Sequence, residues 1–160
     1  MYKVADFAAK TRTVPKVLVF STATDRAVTF GLSLSQVAQV MQPPPILAVP
    51  GSADYVLGLV EWRGVPLVVI DLLRRLGDTE SPVATDGRLL VARAATTRAC
   101  VGFFVSPQCR ILSLSRLHHA SSHQVPLQES LLRGQFELEN ETLVIPDIDR
   151  LLVPNNDCAG

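Results

Sequence analysis

The strongest constraint on the fold is an internal repeat. The sequence Gly-Leu-Val-Glu-Trp that begins at Gly58 returns as Gly-Gln-Phe-Glu-Leu at Gly134. At the same offset, Leu-Val-Val-Ile-Asp-Leu-Leu-Arg from Leu67 returns as Leu-Val-Ile-Pro-Asp-Ile-Asp-Arg from Leu143. A third stretch, around Gly31, is echoed at a slightly smaller offset. Because the elements keep their order, the repeat predicts two copies of one small structural unit.

The predicted unit is built from strands with little helix. In the first half, two apolar runs flank Arg63-Gly64, a tight turn in which glycine can adopt the positive φ that hairpins require. Asp71 stands where it can N-cap a short helix over residues 72–76. The same signals recur in the second half, with Asp147 as the cap. We therefore predict an all-β fold of two five-stranded barrels with short helices, because barrel closure removes exposed strand edges.

The remaining segments complete this plan. Ser33 and Gln36 have capping-box spacing for one helical turn. Residues 1–15 are predicted as a flexible leader, and residues 154–160 as a tail. A polar linker after residue 77 divides the domain, residues 16–153, into subdomains of residues 16–77 and 88–153. Apolar runs predict further strands at residues 17–20, 27–32, 37–41, 88–94, 98–105 and 109–114.

Composition excludes several classes of function. Fifteen basic and fifteen acidic residues give a formal net charge of zero, so no field attracts nucleic acid. No apolar stretch approaches the roughly 20 residues that span a bilayer, which predicts a cytoplasmic protein without membrane insertion. Three cysteines without CxxC spacing argue against a disulfide framework or zinc site, and we expect Cys100 and Cys109 to be buried free thiols.

No catalytic or cofactor-binding constellation is present. The sequence has no GxSxG, P-loop or GxGxxG motif, and helix capping explains Asp147 and Asp149. The histidines His118, His119 and His123 lie in a serine-rich stretch without a completing carboxylate or thiol, so we interpret them as part of a polar surface loop, not a metal site. We predict that the protein is not an enzyme and needs neither metal nor cofactor.

The order of motifs resembles one known family. Phe30 to Val40 forms an apolar strand pair, Val49-Pro50 follows, and Tyr55 to Leu72 carries a Gly-Leu-x-x-x-Arg-Gly hairpin and a Val-Ile-Asp-Leu strand end. These features resemble the signature of CheW-like domains. The resemblance implies two SH3-like five-stranded barrels in a non-catalytic adaptor. Such adaptors link methyl-accepting chemoreceptors to a CheA-type histidine kinase in chemotaxis or related motility signalling.

The resemblance also implies interaction residues. Val37 and Ile46 match positions that meet the kinase's regulatory domain, and Arg63 is the third candidate for kinase binding. Leu90 and Val91 align with the strand that lines the receptor groove. Core packing is the alternative for the four aliphatic residues, and simple solvation is the alternative for Arg63. The alternative function is a regulatory or ligand-sensing module of another two-component pathway, whose groove would be a cavity with convergent polar groups.

Overall fold

A computed structural model describes residues 15–22, 28–83, 86–113, 115, 118–119 and 125–153. Almost all of the predicted leader and the whole predicted tail lie outside the described residues. Two α-helices of one turn each, α1 (Leu72–Arg75) and α2 (Ile148–Leu151), and two 3₁₀ turns, Leu34–Gln36 and Glu129–Leu131, interrupt a chain of strands. The strands are β1 (Lys16–Ser21), β2 (Val28–Ser33), β3 (Val37–Met41), β4 (Val56–Trp62), β5 (Val65–Ile70), β6 (Arg88–Arg93), β7 (Cys100–Val105), β8 (Arg110–Ser113), β9 (His118–His119), β10 (Leu132–Leu138) and β11 (Glu141–Pro146).

The strands form two sheets with matching internal orders. One sheet runs β8-β1-β2-β11-β10-β9 and the other runs β3-β6-β7-β5-β4. Neighbouring strands are antiparallel except for the parallel pairs β2 with β11 and β5 with β7. Apart from the two-residue strand β9, the two orders correspond strand by strand under the repeat. The all-β prediction is therefore confirmed, although neither sheet closes on itself through hydrogen bonds between the described strands.

Each sheet takes strands from both halves of the chain. Strands β1 and β2, from the first half, lie in one sheet with β8, β10 and β11. Strands β6 and β7, from the second half, lie in the other sheet with β3, β4 and β5. The sheets therefore do not coincide with the predicted consecutive subdomains of residues 16–77 and 88–153. The reason is physical: the second strand of each half uses a strand of the other half as its parallel partner, so that neither half completes a sheet alone.

The core has three layers. The largest buried cluster lies between the sheets and includes Phe20, Phe30 and Phe103, with ring centroids 5.8 Å and 5.7 Å from Phe20. The opposite face of each sheet has its own smaller cluster. On β1, Leu18 and Phe20 belong to the shared layer, whereas Val17 and Val19 belong to the smaller cluster of their sheet. Strands buried on both faces read as continuous apolar runs, as β1 and β6 do.

Several local predictions need correction. Ser33 precedes a 3₁₀ turn but forms no side-chain cap; its Oγ lies 2.9 Å from Oγ of Ser35 instead. His118 and His119 form a short strand beside β10 and are not loop residues. The thiols are free, but Cys109 is exposed and Cys100 is only half-buried, so the prediction that both are buried is wrong.

Candidate partner-binding surface

A row of aliphatic side chains runs from Leu47 across the β4-β5 hairpin. Leu47 pairs with Leu59, and Leu59 pairs with Val68, both in antiparallel register. Residues directly opposite each other in antiparallel strands share a face of the sheet. The three side chains therefore form a row, which we call the open face. Leu47 is 70% exposed and Val68 is 39% exposed, so the row presents aliphatic surface to solvent.

A glycine allows Leu47 to reach this position. The backbone of Leu47 exchanges two hydrogen bonds with Leu59, each of 2.8 Å. Gly58 lies beside this contact with φ of 150°, and a Cβ placed on it would overlap the carbonyl oxygen of Leu47 and lie 2.6 Å from Cγ2 of Ile46. Only glycine permits both the backbone conformation and the close approach. Gly58 thereby holds the segment after the three prolines against β4.

Arg63 occupies the tip of the same hairpin. Trp62 and Val65 are paired, so Arg63 and Gly64 form a two-residue turn with φ of 52° and 78°. Positive φ at both positions defines a type I′ turn, which favours Asn, Asp or Gly at the first position. An arginine there costs about 1 kcal/mol in backbone strain. The glycine of the predicted turn is confirmed, and the positive φ of Arg63 is a feature that the sequence did not indicate.

Two predicted kinase-binding residues lie in different settings. Ile46 is 36% exposed and packs over Gly58. Val37 is half-buried and packs against the shared core, so core packing accounts for much of its surface. Their role in binding stays a prediction, with Ile46 better placed than Val37 to meet a partner.

The predicted receptor-binding residues, Leu90 and Val91, lie inside the structure. Both have no accessible surface: Leu90 lies in the shared core, and Val91 lies in the cluster on the other face of its sheet. Core packing, the alternative stated for both residues, accounts for this burial, and their receptor-binding role stays a prediction. The exposed residue nearest in register is Val40 on the edge strand β3, which pairs with Leu90 and is 40% exposed. Its counterpart Ile111 on edge strand β8 is 57% exposed.

The two helices are capped alike. The carboxylate of Asp71 accepts a hydrogen bond of 3.1 Å from the backbone N–H of Arg74, and Asp147 accepts one of 3.3 Å from that of Arg150. Both predicted N-caps are confirmed. Burial raises the pKa of Asp71, with opposition from the hydrogen bond and positive charge of Arg74. Because this carboxylate accepts the capping hydrogen bond of α1, we interpret Asp71 as an N-cap and not as an acid–base group.

A buried arginine joins the helices. Arg75 of α1 is 2% exposed; its guanidinium donates hydrogen bonds of 3.1 Å to the carbonyl of Leu151 and 2.9 Å to that of Val153. Its Cζ also lies 4.9 Å from the ring centroid of Tyr55. The end of α2 has unpaired carbonyls that attract a cation. Arg75 therefore caps the helix of the opposite half.

Asp149 makes a second connection between the halves. Its carboxylate accepts hydrogen bonds from the backbone N–H groups of Ala95, Thr96 and Thr97, at 2.9, 2.9 and 3.3 Å. Desolvation acts to raise the pKa of Asp149, but these hydrogen bonds outweigh it and lower the pKa. The carboxylate holds the β6-β7 turn against α2.

The described part of the chain offers little for chemistry. It contains no group of three His, Cys, Asp or Glu residues that could hold a metal ion. His123 lies outside the described residues, as do the side chains of His118 and His119. No described helix is long and apolar enough to span a bilayer. The features of the described surface that stand out are thus the open face and its arginine.

Comparison with known proteins identifies the family. The model of the CheW-like domain matches residues 16–154.

The chain belongs to the CheW-like domain family.

Three curated relatives match this chain at low identity. A probable chemotaxis protein CheW of Rhizobium etli is 25% identical over 76% of this chain and 79% of its own length. The chemotaxis protein CheW of Klebsiella aerogenes is 25% identical over 77% of this chain and 74% of its own. The Helicobacter pylori chemotaxis protein CheV3 is 23% identical over 77% of this chain but only 40% of its own length. All three relatives are named as chemotaxis proteins.

A solved structure shares the fold. The scaffolding protein CheW of Thermoanaerobacter tengcongensis superposes with a TM-score of 0.70 at 18% identity, covering 89% of this chain and 95% of that one. This likeness confirms the predicted SH3-like, two-subdomain type of fold. Sequence reasoning missed the open face, although alternation of Leu59 and Val68 with the buried Val60 and Leu67 could have indicated it.

Proposed function

We propose that this CheW-like protein is a non-catalytic cytoplasmic scaffold that joins the tips of methyl-accepting chemoreceptors to a CheA-type histidine kinase. The observation that carries the proposal is the family match over residues 16–154. Relatives named chemotaxis proteins and a structural neighbour described as a scaffolding protein support it. A binding role also fits the described surface, which offers exposed aliphatic rows without a cluster of metal-ligating residues.

The open face is the proposed kinase contact. Leu47, Leu59 and Val68 supply aliphatic area, Ile46 adjoins them, and Arg63 stands at the tip of the same hairpin. An interface typically combines an apolar centre with charged residues at its rim. Arginine suits the rim because its planar guanidinium binds carboxylates through two hydrogen bonds.

The receptor contact is proposed on the edge strands. Val40 and Ile111 are exposed, and each pairs with a residue of the shared core: Val40 with Leu90, and Ile111 with Leu18. A helical receptor tip could bury these aliphatic side chains at the rim of the core. Val40 is the exposed register neighbour of the buried Leu90, and Ile111 is the counterpart of Val40 on the other sheet.

Two matched variants test the assignment. In Leu47→Asp, a charge enters the open face, and titration calorimetry with the regulatory domain of the cognate kinase should show at least a tenfold rise in Kd, because desolvating the carboxylate is costly. Ile111→Asp makes the same kind of change at a similarly exposed aliphatic residue. It should leave kinase binding unchanged and reduce co-sedimentation with receptor-tip fragments. A wild-type protein that binds neither partner, or Leu47→Asp binding the kinase as tightly as wild type, would contradict the proposal.

A further inference from the structure

Three side chains form a chain of contacts that ends at the tip of the open-face hairpin. The indole Nε1 of Trp62 donates a hydrogen bond of 2.9 Å to Oε1 of Gln39. The guanidinium carbon of Arg63 lies 4.6 Å from the centre of the Trp62 ring. Trp62 is 8% exposed and belongs to the buried cluster on its side of the sheet. The guanidinium of the exposed Arg63 thus contacts the buried indole of Trp62, which in turn is hydrogen-bonded to Gln39 of β3.

The arrangement limits the freedom of Arg63 from two sides. Its backbone is held at φ of 52° by the two-residue turn, and its guanidinium rests on the indole face, where the ring quadrupole attracts a cation. Gln39 fixes the indole in turn, because the Nε1–H of a buried tryptophan requires an acceptor. A long side chain that is ordered before binding loses less conformational entropy when it meets a partner.

The guanidinium keeps its capacity to bind an anion. Arg63 is exposed, and no described carboxylate forms an ion pair with it. A cation–π contact, unlike an ion pair, does not engage the N–H donors of the guanidinium with an acceptor oxygen. Glu61, the acidic residue nearest in sequence, lies on β4 opposite Pro66.

We infer that Gln39 and Trp62 are positioning residues that hold Arg63 ready for a carboxylate of the kinase's regulatory domain. This inference rests on the proposed function and adds the chemistry of one contact. The aliphatic row lies on the same hairpin, three residue pairs from the turn, and Arg63 supplies a charge-assisted hydrogen bond at the hairpin tip. Gln39 and Trp62 act through Arg63, with no need to touch the partner.

A double-mutant cycle tests the inference by calorimetry with the kinase's regulatory domain. Arg63→Ala should raise Kd about tenfold, with a smaller difference at high salt. Gln39→Leu should raise it about threefold in the wild-type background but leave it unchanged when Arg63 is already alanine. Arg98→Ala is the matched control, because Arg98 is another exposed arginine in a turn with positive φ, 60°, and should leave Kd unchanged. Trp62 is the only tryptophan, so its emission reports whether Gln39→Leu alters the indole environment while the unfolding midpoint stays near wild type.

The outcomes separate this inference from the proposed function. If the wild-type chain binds and Arg63→Ala binds equally well, the inference is overturned and the scaffold proposal stands. If Gln39→Leu weakens binding by the same factor in both backgrounds, its effect does not pass through Arg63, and the positioning role is overturned. If the wild-type chain does not bind the kinase domain, the proposed function fails and this inference fails with it.

Discussion

The two halves of the repeat have the same arrangement of strands but differ in how far one face of the sheet is buried. In the second half, Val144 of β11 is fully buried, whereas Val68, its counterpart in β5, is 39% exposed. The segment before β10 contributes Leu127 to the shared core, and glycine stands at the corresponding position, 51, in the first half. The second half covers this face with its own chain, and the first half leaves it open.

One polar residue marks the same contrast. The side-chain amide of Gln135 accepts a hydrogen bond of 2.8 Å from the N–H of Val125 and donates one of 3.0 Å to its carbonyl. The first half has Leu59 at the equivalent position, and its neighbouring segment is held through the backbone of Leu47 instead. Of two copies of the same strand arrangement, one thus buries this face of the sheet and the other leaves it exposed, where a partner can bind.

The largest expected effect comes from the two repeated glycines. Gly58→Ala should lower the free energy of unfolding by about 3 kcal/mol, because the new Cβ meets backbone and the φ is positive. Gly134→Ala should cost about 1 kcal/mol, since its Cβ would meet a side chain, the ring of Phe136, at 2.9 Å. Urea unfolding of both variants measures the difference. Equal losses would show that the close approach of Leu47 does not distinguish the halves.

A second test opens the closed face. Gln135→Leu introduces the residue type of the first half and removes both hydrogen bonds to Val125, which should cost about 1–2 kcal/mol. Amide exchange should accelerate at Val125, while the amides of Leu47 and Leu59 keep their wild-type rates. Unchanged protection of Val125 would mean that the glutamine does not hold this segment.

The smallest effect concerns Asp149, which has a buried leucine, Leu73, as its counterpart. Because hydrogen bonds lower the folded pKa of this carboxyl, its stabilising contribution is present above the unfolded pKa and is lost as pH falls through the folded value. Asp149→Asn should therefore reduce the thermal midpoint slightly at neutral pH and hardly at all in strong acid. A difference that grows in acid would contradict this reasoning.

Local chemistry made part of the structure predictable. The Arg63-Gly64 turn and the caps Asp71 and Asp147 depend on neighbouring residues, and the structure has them where the sequence indicates them. The exchange of β1-β2 and β6-β7 between sheets could not be read from these patterns, because a strand's apolar periodicity does not say which distant strand it pairs with.

The candidate site was predictable to a lesser degree. Arg63 was found because it stands in a distinctive motif, but Leu90 and Val91 were assigned from their alignment with a groove. They lie in an unbroken apolar run, Leu-Leu-Val-Ala, which is typical of a strand buried on both faces, and this signal favoured core over interface. The role of Leu47 depends on a bridge to Leu59, twelve residues along the chain, and no local pattern in the sequence specifies such a contact.

The exchanged strands also bear on how the protein is synthesised. Strand β2 emerges from the ribosome early, but its parallel neighbour β11 comes near the end: Thr29 and Glu141, which share a hydrogen bond, are 112 positions apart. Until then the apolar pair β1-β2 has a free edge, which invites pairing with other nascent chains. Such long-range pairing slows folding. We therefore expect a messenger truncated between the repeats to yield a chain that aggregates. Each sheet needs strands from both halves, so one half alone completes neither sheet.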